Sequence, residues 1–127
     1  MNRPSIKKAF LILILASLAA CSTMDLVTPI DTPDKTANWS AADFYDEAKK
    51  SLDDENYINA IELYEGLESR YPFGQYAQQA QIDLAFAYYK NDEPESAIAT
   101  ANRFIRIHPR HKNVDYLYYL KGEVSVF

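Results

Sequence analysis

Few side chains in these 127 residues are placed to do chemistry, and the most conspicuous is a thiol. Cys21 is the sole cysteine, so no disulfide can form within the chain and its sulfur is open to modification. His108 and His111 flank Pro109-Arg110 and could share a metal ion, but no cysteine or carboxylate cluster accompanies them. The acidic run Asp53-Asp54-Glu55 offers too few oxygen ligands at loop spacing for calcium and reads as a solvated turn. Neither a glycine-rich phosphate loop nor a nucleophile motif is present, so an enzyme is not expected, nor is a metal or diffusible cofactor.

The elements around these residues begin with an address. Arg3, Lys7 and Lys8 precede an apolar run from Ala9 to Ala20, shorter than the roughly 20 residues a membrane-spanning helix needs. Residues 1–20 therefore read as a secretory signal peptide. Leu18-Ala19-Ala20-Cys21 resembles the bacterial lipobox. That resemblance implies that Cys21 becomes the N-terminus, carrying S-diacylglycerol and an N-palmitoyl group. Several acyl chains anchor stably where one would not, at about 0.8 kcal/mol per buried methylene. Ser22 follows, where aspartate would resemble an inner-membrane retention signal, so the expected site is the periplasmic face of the cell outer membrane. Residues 21–39, with Pro29, Pro33, Asp25, Asp31 and Asp34, read as a flexible tether. As a coil, such a segment spans roughly 20–25 Å.

The body, residues 40–127, has the composition of a packed helical domain: 48% of the chain is hydrophobic and glycine numbers three. Net charge is −5, and more negative once the leading cations are removed, which argues against nucleic acid. Ser40 and Asp43 form a capping pattern ahead of Phe44, Ala48 and Leu52 at helical spacing. A second helix carries Tyr57, Ala60, Ile61, Tyr64 and Leu67 and stops before Pro72. Leu84, Ala85 and Tyr88 mark a third, and Ala97, Ala101, Phe104 and Ile105 a fourth that Pro109 stops. A fifth begins near Val114 with Leu117, Leu120 and Gly122. Tyr64 and Tyr88 are expected in the core.

Ala48, Ala60 and Pro72 recur as Ala85, Ala97 and Pro109, an offset of 37 residues each time. This small–small–proline spacing resembles the tetratricopeptide repeat, whose unit is about 34 residues, with three extra residues within Phe73-Gly74-Gln75-Tyr76. The expected fold is all-α, an α-solenoid of tandem helical hairpins: repeat 1 at about 41–74, repeat 2 at about 78–111 and a partial repeat 3 at about 115–127. Because such arrays usually end in a polar cap and this one ends on Val124-Ser125-Val126-Phe127, the sequence reads as part of a longer protein.

Beyond the repeat, the runs Arg70-Tyr71-Pro72-Phe73-Gly74-Gln75-Tyr76, Ala87-Tyr88-Tyr89-Lys90-Asn91, Arg103-Phe104-Ile105-Arg106 and Asp115-Tyr116 resemble the BamD family of outer-membrane lipoproteins. The resemblance covers roughly residues 40–122 together with the lipoprotein signal. It implies a scaffold in the barrel-assembly (BAM) machinery that recognises the C-terminal signal of unfolded outer-membrane β-barrel proteins and contacts BamA and other subunits. That signal is an extended segment ending in an aromatic residue, so the resemblance implies Lys49, Arg70 or Lys90 for its carboxylate and the run Tyr71-Pro72-Phe73-Gly74-Gln75-Tyr76 for its ring. Repeat position then places Tyr45 and Lys49, with Ile82, Phe86, Tyr89 and Lys90, along the groove lined by each unit's first helix. Arg70, Tyr71, Phe73, Gly74 and Tyr76 would lie beside it, or Tyr71 and Phe73 would plug the joint between hairpins. A different repeat lipoprotein, such as a pilus-assembly pilotin, is the alternative.

Overall fold

The computed structural model describes residues 34–126, and the signal peptide, Cys21 and most of the tether lie outside them. Five helices follow in order: α1 (Ala41–Asp53), α2 (Tyr57–Arg70), α3 (Gln75–Lys90), α4 (Pro94–Ile107) and α5 (Val114–Val124). Among the described residues there is no strand, and no helix is long and apolar enough to cross a membrane. Successive helices pack antiparallel as hairpins. The first helices of the units also touch, α1 against α3 and α3 against α5.

Local chemistry sets the boundaries. Ser40 Oγ accepts the backbone N–H of Asp43 at 3.2 Å, and Asp43 Oδ2 accepts that of Ser40 at 2.8 Å, closing a capping box. The Ser40 backbone N–H and then the Ser40 hydroxyl, both donating to the Asp43 carboxylate, lower its pKa from the usual value. The α1 and α3 C-termini end alike. Asn56 N–H donates to Ser51 O at 2.8 Å and Glu55 N–H to Leu52 O at 3.1 Å, while Glu93 donates to Tyr88 O at 2.9 Å and Asp92 to Tyr89 O at 3.3 Å. These are two Schellman closures, with Glu55 (φ 59°) and Asp92 (φ 62°) in the left-handed position where glycine is usual. The two residues stand at the 37-residue offset, so the repeat extends to backbone strain.

The three extra residues are resolved into helix. α3 has 16 residues against 13 in α1, the additional turn sitting at its N-terminus behind Gly74, whose φ is 100°. It carries Tyr76 outward and Ala77 into the core.

Ala48, Ala60, Ala85 and Ala97 are each at most 1% exposed, letting paired helices approach closely around two apolar clusters. The first gathers Phe44, Leu52, Ile61, Tyr64, Leu67 and Leu84; the second gathers Ile82, Phe104, Val114, Leu117 and Leu120. Gly66 seats Phe44, since a Cβ there would lie 3.0 Å from Phe44 Cε1. Tyr64 is fully buried; Tyr88 is only half-buried, packed on the first cluster while its hydroxyl donates to Glu65.

The end of the segment read as tether is packed on the body. Residues 34–39 make a turn whose Trp39 meets Phe44 edge-on at 5.2 Å, and Asp34 pairs with Arg70.

Candidate functional site

The first helices α1, α3 and α5 side by side leave a groove, and two adjoining cavities occupy it. One, of about 320 Å³, is lined by Tyr45, Tyr76, Gln78, Gln79, His111 and Lys112. The other, of about 480 Å³, is lined by Lys49, Gln79, Ile82, Asp83, Phe86 and Tyr116 among others. Gln79 belongs to both and marks where they join.

Asp83 organises the floor. Its Oδ2 accepts the Tyr45 hydroxyl at 2.8 Å and the Tyr64 hydroxyl at 3.4 Å, and its Oδ1 accepts Gln79 Nε2 at 3.0 Å. Burial, and then the Asp83 carboxylate, push both phenol pKa values up, which keeps Tyr45 and Tyr64 as protonated donors. The Tyr116 phenol is raised for the same two reasons. The Tyr45 ring lies 6.0 Å from Tyr64 and 5.7 Å from Tyr76, so the rim is aromatic on two helices. Lys49 is bridged to Asp53 one turn along α1, an exposed pair that is readily exchanged for another anion.

Of the residues singled out from the sequence, Tyr45, Lys49, Tyr76, Ile82 and Phe86 meet in this groove. The others stand elsewhere. Arg70 turns toward the N-terminal turn: it donates to Thr36 O at 2.6 Å, pairs with Asp34 and lies 5.1 Å over the Phe44 ring. Tyr71 donates to Trp39 O at 2.6 Å and packs edge-on against Phe44. Together they form a clasp over residues 34–39. The side-chain and backbone bonds from Thr36, followed by Arg70, hold the Asp34 pKa at about 2.

Phe73 is 88% exposed, so it does not fill the joint between hairpins. With Gly74, Ile107 and His108 it borders a separate cavity of about 190 Å³. Tyr89 packs on Phe86 and the second core cluster, and Lys90 reaches over the Tyr57 ring at 5.8 Å, away from the groove. Arg70 and Lys90 are thus not groove cations. His108 and His111 both lie against the Phe104 ring, at 4.9 and 5.1 Å.

Gln79, Asp83, Lys112 and Tyr116 line the groove without having been assigned to it from the sequence. The 37-residue offset could have found the pair Gln79 and Tyr116, which occupy one repeat position on neighbouring first helices.

Comparison with known proteins comes at this point. The YfiO family model, described as an outer membrane lipoprotein, matches residues 37–127. The chain is 46% identical over 108 residues to a Neisseria meningitidis serogroup B protein named outer membrane protein assembly factor BamD, covering 85% of this chain and 40% of that one. It is 40% identical over 111 residues to a Vibrio cholerae protein of the same name, covering 87% and 43%. A Xylella fastidiosa protein of that name is 38% identical over 78 residues, covering 61% and 27%. The chain thus spans about 40% of the length of the first curated relatives it matches.

Proposed function

Since the chain belongs to the YfiO family of outer membrane lipoproteins, we propose that it is a scaffold for outer-membrane β-barrel assembly whose groove holds the extended C-terminal segment of an unfolded barrel protein. The names of its relatives, outer membrane protein assembly factors, support the assembly role. The groove itself carries the peptide-binding part of the reading. It runs across three first helices, has an aromatic rim at Tyr45 and Tyr76, and holds a cation in each cavity, Lys112 in one and Lys49 in the other.

A peptide ending in an aromatic residue would place that ring beside Tyr45 and Tyr76, gaining about 0.5–1.5 kcal/mol per ring pair beyond area burial. Its carboxylate would go to Lys112, which lines the same cavity and takes the part that sequence position alone suggests for Arg70 and Lys90. The bonds to Asp83 hold the floor in one arrangement before any peptide arrives, which reduces the ordering cost of binding.

In this reading the protein performs no chemistry on its substrate. Cys21 bears the diacylglycerol and palmitoyl anchor on the periplasmic leaflet, and BamA with other assembly subunits receives the cargo. The test is a binding titration of the chain with a labelled peptide copied from a porin C-terminus, beside a control lacking the terminal aromatic. Binding that depends on the aromatic and falls with Tyr76→Ala and Lys112→Ala supports the groove. Equal affinity for both peptides, or none by a folded chain, rejects it.

A further inference from the structure

The alternation of helices sorts the connections to two ends of the domain. The short turns at Asp54–Asn56 and Asn91–Glu93 lie at one end. The clasped turn 34–39, the loop 71–74 and the loop 108–113 lie at the other. Charge follows the same division. The short turns and their flanks carry Asp53, Asp54, Glu55, Asp92, Glu93 and Glu95 against Lys50 and Lys90, a net negative end. At the other end, residues 102–113 contain no Asp or Glu, and Arg106 and Arg110 are exposed there. Among carboxylates near that end, Asp34 is bridged to Arg70 and Glu68 to Arg103, while Asp43 and Asp115 are exposed anions, fewer than the exposed cations Lys35, Arg106, Arg110 and Lys112.

The same end shows bulky apolar side chains to solvent. Phe73 is 88% exposed and Ile107 56%, and the two border one cavity. Exposed apolar side chains that share one end of a domain with cations suit a bilayer interface: the apolar groups enter the headgroup region while the cations meet phosphates. Finally, the clasp of Arg70 and Tyr71 on residues 34–39 fixes this end as the one from which the chain runs back toward Cys21. The thirteen residues Ser22–Asp34 reach at most about 45 Å even when fully extended.

We infer that this cationic, Phe73-bearing end of the helical domain rests on an anionic phospholipid surface, setting the groove at a fixed height and tilt beside the bilayer. The inference rests on the reading of Cys21 as the lipid anchor. Charge complementarity and the exit of the tether at the same end favour a bilayer over an acidic protein as the occupant.

The experiment uses the full-length processed chain reconstituted in vesicles of phosphatidylethanolamine and phosphatidylglycerol. An environment-sensitive fluorophore is attached through Gln75→Cys, beside Phe73, or through Asp92→Cys at the far end. The expected result is blue-shifted emission, quenched by nitroxide lipids, for the Gln75→Cys probe and water-like emission for the Asp92→Cys probe. Replacing Arg106→Gln or Arg110→Gln should lower the docked fraction roughly fivefold per cation. Phe73→Ala should shorten the quenching contact, and phosphatidylcholine vesicles should abolish the shift. Water-like emission from both probes overturns the inference and leaves this end to an acidic protein surface. The anchor is read separately: an acylated Cys21 takes no thiol label, so labelling of the wild-type chain at Cys21 removes the anchor and with it this inference, whereas a blocked Cys21 with an unshifted Gln75→Cys probe overturns the inference alone.

Discussion

Removing the Asp83 carboxylate tests whether the groove floor is built in advance. Asp83 accepts three donors: Tyr45 at 2.8 Å, Gln79 at 3.0 Å and Tyr64 at 3.4 Å. Tyr64 is fully buried, so in Asp83→Ala its hydroxyl loses its acceptor in a place water does not reach, a loss of about 1–3 kcal/mol. Tyr45 and Gln79 border the open cavity and can turn to water, so each adds about 0.5 kcal/mol. The sum is about 2–4 kcal/mol of stability, whereas Asp83→Asn, which keeps one carbonyl acceptor, should cost about 1 kcal/mol. Urea unfolding of the four members of a Tyr45→Phe and Asp83→Ala cycle should give a coupling near 1 kcal/mol with unchanged slopes. A loss under about 0.5 kcal/mol for Asp83→Ala, or a coupling of zero, would refute a preformed floor.

Four further outcomes follow from the same geometry. Glu55→Gly and Asp92→Gly relieve left-handed backbone at equivalent turns, and each should raise the denaturation midpoint by the equivalent of about 0.5–1 kcal/mol, additively because the turns are separate. Arg70→Ala should open the clasp, seen as faster amide exchange at Thr36–Trp39 with little change in global stability. The clasp should be insensitive to pH through the neutral range: the Asp34 pKa is depressed from 3.8 to about 2, so its contribution is complete above the ordinary value and fades as pH falls through about 2. Ala60→Asp places an unpaired carboxylate at a fully buried position and should cost at least about 3 kcal/mol, while Phe73→Ala should change the melting curve by no more than about 0.5 kcal/mol.

The sequence carries the architecture because the repeat is written in local signals. Ser40 and Asp43 cap α1 through atoms three residues apart, and the helices before Pro72 and Pro109 end at Arg70 and Ile107. The alanines at each crossing are buried because nothing larger fits there. Groove positions on α1 and α3 were legible for the same reason: Tyr45 and Ile82, and Lys49 and Phe86, are equivalent positions on first helices. What escaped depends on partners far along the chain. Arg70 and Tyr71 sit at the end of α2, where no helical period fixes a side-chain direction, and their partners are 32 to 36 residues earlier. Lys90 also ends a helix and follows the Tyr57 ring. Asp83 is a single carboxylate on an apolar helix, and only the positions of Tyr45 and Tyr64 reveal that it is a shared acceptor.

The additional turn of α3 explains how a generic repeat acquires a specific rim. Without it the second unit would begin near Gln78, and the first helix would present Gln79, Ile82 and Phe86 to the groove with no aromatic beside Tyr45. Lengthening the helix at its N-terminus costs little in the core, because the added turn buries only Ala77, which is small enough to sit against the first cluster. Gly74 then supplies the left-handed residue that lets the chain leave Pro72 and enter the helix at the new place. The consequence is that Tyr76 stands 5.7 Å from Tyr45 on one side of the turn, while Phe73, on the other side of Gly74, points to solvent. One three-residue insertion thus separates two aromatic side chains into two surfaces: Tyr76 belongs to the peptide groove, and Phe73 to the end of the domain where the tether leaves.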